Sequence, residues 1–147
     1  MPLAVIDTNV VVSGVLSSAQ GSPTVRIVDA MLSGRLRFAL SETLLIEYRR
    51  VLLRPAIVER HGLTGAEVDH FLEGLVVNAL MRDTSVTDHG SAPATDLPAA
   101  VHGDEHVIAL MAAVPEAVLV SGDIRLRESL ASRYQVASPA EFADGLK

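Results

Sequence analysis

The chain has 147 residues, of which 49% are apolar and 20% charged, a globular composition that excludes a disordered or fibrous protein. It has no cysteine, so disulfides and thiolate metal sites are excluded. Its net charge of −6 argues against nucleic-acid binding through a broad basic face, unless a bound cation or local arginines offset the repulsion. The N-terminal residues lack a signal-peptide pattern, and the longest apolar run, Val107 to Val114, is too short to span a membrane. We therefore expect a cytoplasmic protein with one domain over residues 1–147.

Strands and helices alternate along the predicted chain. Helix starts are marked by a Ser or Thr cap, with a proline next to Ser22 and Ser138 and a capping box at Thr64 and Ser138. The polar residues 82–103 are interpreted as a long loop with one short strand near residues 85–87. We predict strands at residues 3–7, 35–41, 116–123 and 133–138, and helices at 22–34, 41–55, 64–81, 104–114, 124–132 and 138–146.

This alternation predicts an α/β fold with a parallel sheet covered by helices on both faces. Right-handed crossovers make such a sheet doubly wound, and ligands then bind beyond the carboxyl ends of its strands. Carboxylates are expected at that edge. Asp7 ends the first strand, Asp123 follows the apolar run "AVLVSG", and Asp104 begins the helix before that run. Glu47 interrupts an apolar helix stripe, which is costly unless the acid has a partner.

Four carboxylates in one crevice repel one another unless a cation neutralises them. An all-oxygen ligand set favours a hard divalent ion, Mg²⁺ or Mn²⁺. Such an ion binds phosphate oxygens and lowers the pKa of a bound water, which then attacks phosphorus. The sequence therefore favours a phosphodiester hydrolase, and the ion would also offset the acidic net charge where the substrate binds.

Four blocks, "VIDTNVVVSG", "SETLLIEYRRVLLRP", "DEHVIALMAA" and "LVSGDIRL", resemble the PIN domain family in their order and spacing, most closely the VapC-like toxins of prokaryotic toxin–antitoxin modules. The resemblance implies a single-domain, Rossmann-like α/β/α sandwich and an endoribonuclease that needs Mg²⁺ or Mn²⁺. A toxin role implies an RNA substrate, an antitoxin partner and a homodimer. By resemblance, the catalytic acids are Asp7, Glu47, Asp104 and Asp123, the metal ligands among them are Asp7, Asp104 and Asp123, and the supporting residues are Thr8, Asn9 and Ser121.

Several assignments stay open. Relatives often carry Asp-Pro shortly before the third acid, where this chain reads "AAVHGDEH", so the third acid is either Asp104 or Glu105. Arg125 and Arg127 flank Asp123. Three roles stay open for these arginines: contact with RNA phosphates, neutralisation of the negative charge of the carboxylates, or a position on a solvated helix face.

The acids also have plain structural interpretations. The three aspartates could cap turns or helices, and Glu47 could pair with Arg50 or Arg54 on its own helix. The protein would then be a non-catalytic Rossmann-like binding module. A third alternative is a metal-dependent phosphohydrolase of small molecules, although the chain has no Gly-rich phosphate-binding loop.

Overall fold

A computed structural model describes residues 2–84 and 104–146. Five parallel strands form one sheet in the order β3-β2-β1-β4-β5, and helices flank it, which confirms the predicted α/β fold class. The strands are β1 (Ala4–Ile6), β2 (Phe38–Leu40), β3 (Ala79–Met81), β4 (Val118–Val120) and β5 (Gln135–Ala137). The helices are α1 (Thr8–Leu16), α2 (Pro23–Ser33), α3 (Glu42–Leu52), α4 (Pro55–His61), α5 (Gly65–Asn78), α6 (Glu105–Ala113), α7 (Ile124–Leu130) and α8 (Pro139–Asp144).

The strand order reverses direction between β1 and β4. From β1 the chain moves outward to β2 and β3, and it later returns to the other side of β1 to form β4 and β5. The register of β1 and β4 pairs Ala4 with Val118 and Ile6 with Val120, so the two strands end at the same level. A reversal of this kind opens a crevice beyond the carboxyl ends of the strands.

The central strands lie inside the core. Every residue of β1 and β2 is buried, as expected for parallel strands that are covered on both faces. Large side chains from the helices fill the space beside them, among them Ile27 and Met31 of α2 and Tyr48 of α3. Full burial of such an apolar side chain contributes about 1.5–3 kcal/mol.

Two helices of the structure, α1 and α4, were not predicted from the sequence. Residues 8–16 form α1, although a valine run has low helix propensity, because burial of Val10, Val11 and Val12 outweighs that preference. The predicted helix 41–55 is wrong at its end. It stops at Leu52, and Pro55 is the first residue of α4, a position that suits its fixed φ.

A third element was assigned to the wrong class. The predicted helix 64–81 ends at Asn78, and residues 79–81 form β3, which pairs with β2. Parallel pairing with a buried neighbour determines the conformation there, and a short apolar segment cannot signal it alone. The strand predicted near residues 85–87 lies outside the described residues.

Gly14 permits close packing of α1 against α2. A Cβ at this position would lie 2.5 Å from Cγ2 of Val28 and 2.7 Å from the carbonyl oxygen of Thr24. We expect Gly14→Ala to lower the free energy of unfolding by about 1–3 kcal/mol, because a backbone oxygen cannot rotate away. Urea unfolding measures the change. Gly65→Ala, whose new Cβ meets nothing within 4 Å, is the control, and equal midpoints for the two variants would contradict the close packing.

Candidate active site

Asp7 is a buried carboxylate at the end of β1. Its backbone N–H donates to the carbonyl oxygen of Val120 at 2.9 Å, and its Oδ1 accepts the N–H of Thr8 at 2.8 Å as the N-cap of α1. Its Oδ2 accepts the Ser121 hydroxyl at 2.7 Å and the Asn9 side-chain amide at 3.0 Å. Only 4% of Asp7 is exposed, and burial raises the pKa of its carboxyl group against the opposing effect of these hydrogen bonds.

Side-chain hydrogen bonds tie the turn after β1 to the turn after β4. The Ser121 hydroxyl donates to Asp7 and accepts the backbone N–H of Asp123 at 3.0 Å. Asn9 Oδ1 accepts the N–H of Gly122 at 3.0 Å, which closes a second link. Asn9 and Ser121 therefore connect the two strand ends that carry Asp7 and Asp123.

Asp123 and Asp104 occupy N-cap positions but differ in their bonding. Asp123 is exposed, and its Oδ1 accepts the N–H groups of Arg125 at 2.9 Å and Leu126 at 3.2 Å. Asp104 makes no side-chain capping bond to α6. Burial, followed by the negative charges of Asp7 and Asp123, raises the pKa of Asp104 to about 6. The capping interpretation is therefore confirmed for Asp7 and Asp123 and is wrong for Asp104.

Glu47 makes an ion pair within its own helix. Arg50 donates to Oε1 of Glu47 from Nη2 at 2.6 Å and from Nε at 3.0 Å. The Glu47 side chain is 19% exposed, whereas Arg50 is 58% exposed, so the acid lies on the inner side of the pair. Beside it, the buried Tyr48 donates its hydroxyl to the carbonyl oxygen of Ile6 and so joins α3 to the end of β1. Burial and the charge of Asp7 raise the pKa of Tyr48 well above its usual value.

A crevice of about 640 Å³ brings the four predicted acids together. It lies between α1, α3, α4 and the starts of α6 and α7. Sequence reasoning did not identify the end of this crevice where Arg54 and Arg60 lie. The spacing of Glu47, Val51 and Arg54 along one helical face was the available signal. The lining residues are Asp7, Thr8, Asn9, Val12, Ser13, Leu16, Ser17, Glu47, Val51, Arg54, Ile57, Arg60, Asp104, His106 and Asp123.

Three residues whose functional roles the sequence did not decide do not line the crevice. Glu105 is exposed and does not line it, whereas Asp104 does. Arg125 is exposed on α7. Arg127 donates from Nη1 to the carbonyl oxygen of Ser121 at 2.6 Å, so its guanidinium supports the turn after β4.

The donor chemistry of the crevice suits a hard divalent ion. The carboxylates of Asp7, Asp104 and Asp123 are close enough for their negative charges to interact, and the buried Thr8 hydroxyl oxygen has no hydrogen-bond partner among the residues that the structure describes. Within residues 2–84 and 104–146, no three Asp, Glu, His or Cys side chains are arranged to hold a metal ion as they stand. An ion would therefore require side chains of the acidic end to turn toward it.

A family model described as a PIN domain matches residues 4–125, a span that begins in β1 and ends two residues after Asp123. The chain belongs to the PIN domain family. PIN domains are typically nucleases that use divalent metal ions and act on nucleic acids, and all four predicted acids lie within the matched span. A search of curated proteins found no match. None of the helices in the described ranges is both long and apolar enough to traverse a bilayer.

We expect the metal-free PIN domain to lose stability as the pH rises from about 4 to about 6. Asp104 keeps its proton up to about pH 6 in the folded chain but releases it near its ordinary pKa of 3.8 when unfolded. The folded state therefore binds more protons in this window, and the free energy of unfolding falls as they are lost. Urea unfolding in EDTA across the window measures the fall.

Asp104→Asn should flatten this pH dependence in part, because the pKa of Asp7 is raised as well. Asp29→Asn, on the exposed side of α2, is the matched control and should leave the fall unchanged. If the free energy of unfolding fell equally steeply in Asp104→Asn and in the parent, the raised pKa of Asp104 would not be its cause.

Proposed function

We propose that this PIN domain is an Mg²⁺- or Mn²⁺-dependent endoribonuclease. One observation carries the proposal: Asp7, Glu47, Asp104 and Asp123 come from four separate parts of the chain and line a single crevice at the switch point of the sheet. Burial raises the pKa of Asp7, and burial together with the negative charges of Asp7 and Asp123 raises the pKa of Asp104, so a bound cation would relieve an unfavourable environment for these carboxylates.

Asp7, Asp104 and Asp123 would hold the ion, with Glu47 beside them. When bound, the ion supplies a Lewis acid for a phosphate oxygen and lowers the pKa of water. The reaction adds one water across one P–O bond. A bond forms between phosphorus and the water oxygen, the bond to the leaving ribose oxygen breaks, and that oxygen receives a proton.

The chain's own groups orient the acids. Ser121 and Thr8 fix both oxygens of the Asp7 carboxylate, and the backbone N–H groups at the start of α7 fix Oδ1 of Asp123. Asp104 has no such bond, which leaves its carboxylate free to turn toward a ligand. Arg125 is exposed next to Asp123, where we propose that it contacts RNA phosphates, whereas Arg127 supports the Ser121 carbonyl.

We further propose that the nuclease is the toxin of a toxin–antitoxin pair and acts in the cytoplasm as a homodimer. The likeness of the four sequence blocks to VapC-like toxins supports this role. A negatively charged crevice also suits an antitoxin segment that places an arginine against the carboxylates.

We expect the purified protein to cleave single-stranded RNA with Mn²⁺ and to lose that activity in EDTA. Asp7→Asn should lower the rate by more than about 100-fold, beyond the loss typical of a residue that only supports a metal ligand. Fluorescently labelled RNA on denaturing gels measures cleavage. Asp29→Asn is the control. Cleavage that survives both EDTA and Asp7→Asn would contradict the proposal, as would hydrolysis of small phosphoesters with RNA left intact.

Expression of the wild-type chain in a bacterial host should arrest growth, whereas Asp7→Asn should not, because toxicity requires the nuclease. Colony counts after induction, at protein levels matched by immunoblot, measure the effect. Equal growth arrest by both proteins would show that toxicity does not depend on the acidic crevice. RNA cleavage without any growth effect would leave a nuclease that is not a toxin.

A further inference from the structure

The crevice continues past its acidic end into a second region, which we call the crevice arm. Thr8, Val12 and Leu16 follow one another every four residues along α1, so they form one wall that leads away from Asp7. At 1.5 Å per residue, Leu16 lies about 12 Å along the helix axis from Thr8. The crevice arm consists of Val12, Leu16, Val51, Arg54, Ile57 and Arg60.

The charge of the crevice reverses along this length. The carboxylates line the end at the sheet, and none lines the crevice arm, where Arg54 and Arg60 are the two arginines. Both arginines are exposed, and neither guanidinium makes a hydrogen bond or an ion pair with any described residue. Arg49, by contrast, is paired with Asp69 through two nitrogens. Arg54 and Arg60 therefore have full donor capacity for an anion that enters the crevice.

The crevice arm also presents apolar side chains. Val12 and Leu16 come from α1, Val51 comes from α3 and Ile57 comes from α4. A nucleotide offers the matching chemistry, since its phosphate accepts bidentate guanidinium bonds and its base has a flat apolar face. A duplex keeps its bases stacked inside, so only an unstacked base of a single strand reaches such a wall.

We propose that the crevice arm is a binding subsite for single-stranded RNA, in which Arg54 and Arg60 hold backbone phosphates next to the scissile bond and an unpaired base packs against the wall of Leu16 and Val51. Because Leu16 lies about 12 Å along α1 from Thr8, the subsite is limited to nucleotides close to the scissile bond. This subsite rests on the proposed ribonuclease function, because the strand that it holds is the one that the acids would cleave.

The test measures binding apart from cleavage. Fluorescence anisotropy with labelled single-stranded RNA is performed in an Asp7→Asn background, so a failure of the nuclease proposal leaves the subsite testable. Arg54→Gln and Arg60→Gln should each weaken binding about tenfold, the loss expected for a hydrogen bond to a charged group. Together they should reduce the magnitude of the slope of log K against log salt by about 1.4, or about 0.7 for each phosphate contact that is lost. Arg54→Lys should keep most of the slope, since the charge remains.

Arg37→Gln is the matched control. Arg37 is exposed, its guanidinium makes no hydrogen bond or ion pair with any described residue, and it precedes β2 at the opposite edge of the sheet. It should change neither affinity nor slope. Thermal melting should be unchanged in all these variants, because surface substitutions of this kind alter stability by about 0.5 kcal/mol or less.

Two results would overturn the subsite. RNA affinity unchanged by the double substitution would show that the crevice arm does not hold the strand. Equal losses for single-stranded and duplex RNA of the same sequence would show general phosphate attraction without a base in the arm. A larger loss for the single strand supports the proposal.

Discussion

The site depends on the parallel pairing of β1 with β4, which ends both strands at one level of the sheet. The hydrogen bond from the Ser121 hydroxyl to Asp7 then joins the two turns, and Asn9 adds a bond to Gly122. These contacts bridge residues more than a hundred positions apart in the chain. The position of Asp7 relative to Asp123 is therefore a property of the sheet topology, and small changes in the surface loops should leave it intact.

The same arrangement carries an electrostatic cost. Asp7 is buried, and hydrogen bonds donated by Thr8, Asn9 and Ser121 partly offset the cost of burying its negative charge. Asp104 lacks a capping bond, and burial, followed by the negative charges of Asp7 and Asp123, raises its pKa to about 6. Such repulsion lowers stability and is retained where function requires it. A divalent ion bound there would offset these charges and would supply the chemistry expected of a PIN domain, so we propose that the cost and the activity have one origin.

Much of this architecture was predictable from residue patterns. Apolar runs that end in Asp7 and Asp123 identified two central strands, and the parallel sheet then indicated where their carboxyl ends meet. Local patterns failed where tertiary contacts determine conformation. The valines after Asp7 form a helix because they are buried, and residues 79–81 form a strand because β2 is beside them. The capping role of Asp7 was recognised as an alternative, yet the helix that it begins was not.

The candidate site was predictable in its acids and less so in its surroundings. Asp7, Glu47, Asp104 and Asp123 line one crevice and Glu105 does not, a difference that appears only in the side-chain positions. The ion pair of Glu47 with Arg50 could be predicted from the helical spacing of the two residues alone. The arginines of the crevice arm were harder to place, because Pro55 begins a new helix and turns Arg60 toward the groove.

The proposed activity requires that the acids of this crevice bind a divalent ion. Anomalous diffraction from crystals grown with Mn²⁺ is the most direct measurement of that binding. We expect a manganese peak in the crevice with carboxylate oxygens of Asp7 and Asp104 as ligands. Crystals saturated with Mn²⁺ that show no peak there, or peaks only elsewhere on the surface, would contradict it.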